Sequence, residues 1–472
     1  MPDAFFRQAF SGRLVMIGCG SIGQGVLPLL LRHLDMLREQ MLVIATTHAH
    51  TAAARENGIP CLLARLTPEN FRAVLEPRLE PGDFLLNLSV DVSSIALIAL
   101  CQERGALYLD TCIETWAGEH VDPALSPSMR TNDALREASL ALRRRSRDAP
   151  TAVLTHGANP GLVSHLLKQA LLDVAVSSGN RVVLPRTRDQ WAALAAKLGV
   201  RTIHIAERDT QSSRRRKQPG EFVNTWSAQA FADEALQPAE LGWGSHERHF
   251  PADGVRHRSA SRAAIHLDRP GASTRVRTWT PMAGPFHGFL ITHAESISIA
   301  DYLTVGEGAH PAYRPTVHYA YHPCDDAVLS LLELTENNGT LQAEHRLLMD
   351  DIESGIDELG VLLMGHDRST YWYGSQLSIE QARSLCPWNN ATTLQVAAAV
   401  MAGVVWAMRN PSCGIVEPDD LPFDDVLALC RHYLGNVVGV FSDWTPLQGR
   451  EVLFKEDVDR DDPWQFKNFR VT

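Results

Sequence analysis

Three glycines near the start of the chain have a spacing that chemistry uses. Gly18, Gly20 and Gly23 form G-x-G-x-x-G, with Ser21 and Ile22 inside it. The motif lies between the apolar run Leu14-Val15-Met16-Ile17 and a stretch, GSIGQGVLPLLLRHL, with Leu and Val at helical spacing. The first glycine permits a tight turn and the second lets a pyrophosphate approach the backbone. The third lets helix and strand pack, so that the helix N-terminus faces the anion. The pattern predicts a dinucleotide site. Such a fold usually ends its second strand with Asp or Glu about 20 residues on, to hold the ribose. Here that stretch is Ile44-Ala45-Thr46-Thr47-His48, the next acid is Glu56, and no Arg stands there. Thr46, Thr47 or His48 is left to hydrogen-bond the ribose, and the choice between NAD and NADP stays open.

The elements that must position these residues alternate. Short apolar runs at 14–18, 41–45, 61–65, 83–90 and 106–110 read as buried strands. Helical stretches separate them: TAAAREN, LTPENFRAVLEP, and DVSSIALIALCQERG with a C-cap at Gly105. Strands alternating with helices predict an α/β, Rossmann-type, doubly wound parallel sheet. The pattern turns helical near 115–150, and TAVLTHGANPG then gives a strand and a turn, with a helix after Gly161. Alternation at 201–209, 263–268 and 288–303 predicts antiparallel strands of an α+β domain. Residues 391–409 read as one apolar helix and 421–440 as helical. We therefore place a dinucleotide-binding domain at 1–160 and an α+β substrate-binding and dimerisation domain at 161–390. A C-terminal helical segment at 391–472 is expected to pack back on the first.

Composition narrows the class. The 472 residues are 45% apolar, 21% charged and 7% aromatic, as in an ordinary globular protein. Forty-four Lys+Arg against 55 Asp+Glu leave a net charge of −11, which speaks against nucleic acid and suits a cationic substrate. The basic runs Arg143–Arg145 and Arg214–Lys217 read as solvated ends of elements. Eight scattered Cys, none paired as C-x-x-C, fit a reducing cytoplasm. MPDAFFRQAF has no signal-peptide pattern, and the longest apolar run, Val396 to Met408, falls short of the roughly 18 residues of a membrane span. The His residues show no H-x-x-x-H or Cys-paired spacing, so no metal site is expected.

The stretches GCGSIGQGVLPLL, LLNLSVDVSS, GALYLDTCIETW, TAVLTHGANPGLVSHLLKQAL, HIAERDTQ, FVNTWS and THAES resemble bacterial homospermidine synthase, in the family's order, from about residue 12 to 440. That family is related to saccharopine dehydrogenase, and its members are dimers holding NAD. The resemblance implies joining two putrescines into homospermidine and ammonia, with spermidine as a possible aminobutyl donor or acceptor.

A diamine carries two ammonium groups about 6 Å apart. Its site needs carboxylates at the ends and apolar or aromatic walls between. Asp91 follows the strand LLNLSV, where open sheets bind ligands, although DVSS also reads as a helix N-cap. By resemblance Asp91, Glu207, Trp226 and Glu234 are catalytic, and Glu114, Asn159 and His293 join them in holding substrate. The implied cofactor contacts are Gly18, Gly20, Ser21, Ile22, Gly23, Thr46, Asn87, Ser89, Asp110 and Asn159. Trp243, His246 and Glu247 also look site-like by their clustering. The competing enzyme is a saccharopine-dehydrogenase-like or carboxyspermidine-type NAD(P)H-dependent reductase. It would need Arg or Lys for an α-carboxylate. A dinucleotide-binding scaffold without turnover is the alternative of another class.

Overall fold

The computed structural model describes residues 6–471 apart from 120–121, 144–148, 180–182, 258–260 and 309. Seven parallel strands form the first sheet: β1 (Leu14–Ile17), β2 (Met41–Ala45), β3 (Cys61–Leu63), β4 (Phe84–Asn87), β5 (Leu107–Asp110), β6 (Ala152–Val153) and, from far along the chain, β16 (Ile415–Val416). Their order is β16-β6-β5-β4-β1-β2-β3. The chain runs outward from β1 through β3 and returns to β4 on the other side of β1. Open sheets bind ligands at such a reversal, outside the strands' carboxyl ends. Helices α1 (Ser21–His33) and α2 (Ser94–Arg104) follow β1 and β4. Gly105 ends α2 in the left-handed region, as its C-cap position requires.

The second sheet has eleven strands. Its long path is β9 (Gly254–Arg256), β10 (Ala264–Pro270), β8 (Pro238–Gly242), β13 (Thr316–His322), β7 (Thr202–Asp209), β14 (Ile356–His366), β15 (Ser369–Ser378) and β17 (Asn436–Ser442). Strands β11 (Arg275–Thr280), β12 (Gly284–Phe289) and β18 (Arg470–Val471) attach beside β13. β7 and β13 are parallel, with Glu207 opposite Tyr321, and β14 runs antiparallel to β7, with Asp357 opposite Asp209. Helices α3 (Asn132–Arg143), α4 (Leu162–Ser177), α5 (Ala228–Leu236), α6 (Ala294–Tyr302), α7 (Ala391–Arg409) and α8 (Phe423–Cys430) complete the elements used below. The apolar α7 is core: it packs on α1, on β5 and β6 of the first sheet, and on β14 and β15 of the second.

Three expectations change. Residues 288–303 are not one strand: β12 ends at Phe289, and Ala294–Tyr302 is helix α6. Its Glu295, Ser296 and Ser298 are buried, so its sequence lacks the polar stripe that marks a surface helix. The span 421–440 is α8 followed by strand β17, so a continuous apolar run hid the change of period. The segment after 391 is not purely helical, and its strands divide between the sheets, β16 in the first and β17 and β18 in the second. Of the basic runs, Arg144 and Arg145 lie outside the described residues. Arg214 to Arg216 are exposed, but Lys217 buries its side chain against Glu333.

Candidate active site

The glycine motif forms the turn its spacing implies. Gly18 has φ +84°, and its N–H donates to the Ile44 carbonyl at 2.9 Å. A Cβ there would strike the Leu88 carbonyl, and a Cβ on Gly23 would lie 2.6 Å from the Gly18 oxygen. A Cβ on Gly20 would meet nothing within 4 Å. The first and third glycines are thus required by the chain itself, whereas the space at Gly20 is left for a ligand. Gly20 and the first turn of α1 face a crevice of about 1020 Å³. Gly18, Ser21, Ile22, Thr46, Ser89 and Asp91 line it as well. The size and the open approach at Gly20 fit a dinucleotide. The exposed Arg65, just past β3, stands on this wall with Thr46 and Thr47. Sequence distance from β2 hid it.

Asn87 and Asp110 are buried and do not line the crevice. Asn87 accepts from the Ser89 hydroxyl at 2.6 Å, which fixes the loop after β4. Asp110 accepts from the Tyr108 hydroxyl at 2.8 Å and the Thr155 N–H at 2.6 Å. Burial lifts its carboxyl to about 7, against the hydrogen bonds it accepts. Their side chains support the strand ends behind the crevice.

Asp91 has φ +67°, and its N–H donates to Glu114 Oε2 at 3.3 Å. The cap of α2 is Ser93, whose Oγ accepts from the Ala96 N–H, so Asp91 does not fill that role. Glu114 accepts from the Cys112 thiol at 3.1 Å. Asp91 thus joins the crevice to a small second cavity of about 30 Å³ lined by Cys112, Glu114, Pro160, Asp233, Glu234 and His293, among others. Helix α5, capped by Ser227, stands between the two. Ser227 to Gln229 face the crevice, and Ala230, Asp233 and Glu234 face the cavity.

His293 lies between two carboxylates, with Nε2 3.2 Å from Glu234 and Nδ1 3.2 Å from Glu295. Burial opposes its cation, yet the two acids outweigh it and hold the imidazolium up to about 10. Its ring lies 4.4 Å from that of Tyr319. The Tyr319 hydroxyl donates to Glu207 Oε2 at 2.6 Å, and Asn159 Nδ2 donates to the same oxygen at 2.9 Å. Asn159 reaches it from the turn before α4, where its bond to Pro160 is cis. Burial, then the Asp209 charge, push the Glu207 carboxyl above the usual range, against those hydrogen bonds. Trp226 is half-buried, with its indole N–H 3.4 Å from the Tyr321 hydroxyl. Tyr321 stacks on Tyr319 at 5.1 Å. Asn390, which caps α7, donates to the carbonyls of Thr225 and Leu348 and so anchors the Trp226 loop.

The fold therefore brings Asp91, Glu114, Asn159, Glu207, Glu234 and His293 into one connected region, with Trp226 on its tyrosine wall. Sequence reasoning missed Tyr319, Tyr321, Glu295, Asp209 and Asp357. The alternation in TVHYAYH puts both tyrosines on one strand face, a signal that was available. Trp243, His246 and Glu247 are corrected: they serve the C-terminal tail. Trp243 packs on Phe250 and Phe466, His246 Nε2 contacts the Trp464 carbonyl, and Glu247 accepts from the Phe466 N–H.

Known proteins sort these features. Residues 14–154 match the saccharopine dehydrogenase NADP binding domain, and 157–440 its C-terminal domain. The chain is 53% identical to homospermidine synthase of Blastochloris viridis, covering 100% of both chains. It is 47% identical to that of Mesorhizobium japonicum over 98% of this chain and 96% of the other. The crystal structure of homospermidine synthase from Legionella pneumophila in complex with NAD superposes with TM-score 0.93 at 46% identity, covering 99% of each chain. Yeast saccharopine dehydrogenase shares the fold, at TM-score 0.51 and 10% identity. The chain belongs to the homospermidine synthase family.

Proposed function

We propose that the protein joins two putrescines into homospermidine and ammonia, with NAD lending a hydride acceptor and returning the hydride within one cycle. With spermidine as donor, 1,3-diaminopropane leaves instead. The observation that carries this reading is the run of carboxylates, Asp91, Glu114, Glu234 and Glu207, leading from the dinucleotide crevice to an aromatic wall. No arginine or lysine is among the described residues lining the small cavity. An α-carboxylate substrate would lack its partner there, which disfavours the reductase alternative.

Each residue then has a task. Gly18, Gly20 and Gly23 with Ser21 and Ile22 would hold the dinucleotide, and Thr46 and Ser89 would meet its riboses. NAD, when bound, supplies hydride transfer to and from the carbon beside the amine. Glu207 takes the proton of the reacting ammonium, because a base must sit within hydrogen-bond reach and near its working pH. Asn159 and Tyr319 orient it. Trp226 covers the transient cation, worth about 0.5–2 kcal/mol. Glu114, Glu234 and Asp91 hold ammonium groups, and the imidazolium of His293 keeps Glu234 in place. Two further readings belong here. The protein acts as a homodimer, supported by the exposed side chains of Val452, Leu453 and Phe454, which a second copy would cover. It works in the cytoplasm, supported by eight free thiols.

Purified protein fed putrescine alone, with NAD below substrate, should yield homospermidine and ammonia by mass spectrometry. Net consumption of reduced cofactor would overturn the reading. Glu207→Gln should lower turnover about 10²–10⁴-fold, the range for a lost general base, and Trp226→Ala about 2–30-fold, the rate equivalent of its cation–π contribution, each with bound NAD retained.

A further inference from the structure

Two carboxylates behind Glu207 have no task so far. Asp209 lies two residues along β7, so its side chain shares Glu207's face of the strand. Asp357 of β14 stands opposite Asp209 in the register. All three are buried, and among the described residues none forms an ion pair. Asp209 accepts from the Thr225 hydroxyl at 2.9 Å and the Gln211 N–H at 2.8 Å. Asp357 Oδ2 accepts from the Thr392 hydroxyl at 2.6 Å, while its Oδ1 is buried with no hydrogen-bond partner. Neutral donors satisfy part of the cluster, and among the described residues no cation pairs with it directly.

We propose that Asp209 and Asp357 are positioning residues that keep Glu207 the proton acceptor of the reaction, by placing two further carboxylates where three full charges cannot stand together. This rests on the function proposed above. Burial makes each charge expensive, and carboxylates sharing a site hold protons that isolated ones would lose. Burial raises all three above the usual carboxylate range; the Asp209 charge adds to this at Glu207, and the Glu207 and Asp209 charges add to it at Asp357. Of the three, Glu207 faces the substrate region. Both its hydrogen bonds fall on Oε2, which leaves Oε1 for the substrate. One proton passes from a substrate ammonium to Glu207, giving a neutral amine and a carboxylic acid, and the cluster loses one negative charge.

Other groups face Glu207. Tyr319 and Tyr321 of β13 remain neutral phenols, since burial pushes both well up. Asn159 is uncharged. The His293 imidazolium favours the ionised form of Glu207, and Arg208 favours that of Asp209. The two aspartates therefore supply the opposing push.

The test is the pH dependence of kcat for the NAD-bound enzyme with putrescine. Asp209→Asn or Asp357→Asn removes a carboxyl that competes with Glu207 for the cluster's negative charge, so Glu207 ionises more readily. The ascending limb should move to lower pH by about one unit, a tenfold change in ionised fraction. Leu359→Ala, opposite Glu207 in the register and equally buried, changes packing without charge and should leave the limb in place. Infrared difference spectra of the holoenzyme give a readout independent of the pH profile. They should show a protonated carboxyl at neutral pH that Glu207→Gln removes. A limb unmoved in both Asn variants, a limb moved equally by Leu359→Ala, or no such carboxyl overturns the proposal. If the wild type makes no homospermidine, the underlying reading has failed; if it does and the limb stays, this inference alone has failed.

Discussion

His293 shows how much one side chain's meaning depends on its neighbours. Its imidazolium exists because Glu234 and Glu295 sit at 3.2 Å on opposite nitrogens. Its proton affinity is higher folded, at about 10, than unfolded, at about 6.5. The stability this contributes is fully present below pH 6.5 and is lost as pH rises through about 10. Urea midpoints should fall across that window in the wild type and fall less in His293→Gln. Equal slopes would show that the histidine is not cationic. The sequence made His293 a candidate through THAES, but not its charge. That charge requires Glu295, in the first turn of a helix that read as a strand, and Glu234, on a different helix. Glu207 was equally visible, and its partner Tyr319 was not, because β7 and β13 pair across more than a hundred residues.

At the scale of elements, the glycine turn separates what the fold needs from what the ligand needs. Gly18 with φ +84° and Gly23 against the Gly18 carbonyl are demanded by the chain, while Gly20 has φ −71° and open space. Gly20→Val should therefore leave the thermal midpoint nearly unchanged without cofactor and abolish NAD binding by calorimetry. Gly18→Ala should instead lower the midpoint, because strain at positive φ and a carbonyl clash act on the empty protein. Loss of stability at Gly20, or retained NAD, would refute the division. Six of the seven strands of the first sheet were legible because short loops and alternating helices leave a local signature; β16, two residues long and far along the chain, left none. The second half was harder. β7 and β13 are buried on both faces, so TIHIAERD and TVHYAYH carry polar residues that face protein, not water.

At the scale of the molecule, those two buried faces do different work. Glu207, Asp209, Tyr319 and Tyr321 occupy one face of the second sheet. His204 and His318, at alternate positions, lie with their rings tilted and 4.0 Å apart on the other. That second face is closed by the chain's last residues: Phe469 packs on both histidines and on Trp444, and Phe466 lies against Trp243 and His318. Arg470 grips Asp253 through both terminal nitrogens at 2.6 Å, and Val471 pairs with Arg275. The tail thus supports from behind the strands that carry the chemistry. Phe469 is fully buried, so Phe469→Ala should cost about 3–5 kcal/mol in urea unfolding. Because Phe469 touches the strands and not the candidate site, the folded fraction at low temperature should keep its KM for putrescine, with activity falling in step with unfolding. A large rise in KM at unchanged stability would mean that the tail acts on substrate, which a residue on the far face of the sheet has no geometric route to do.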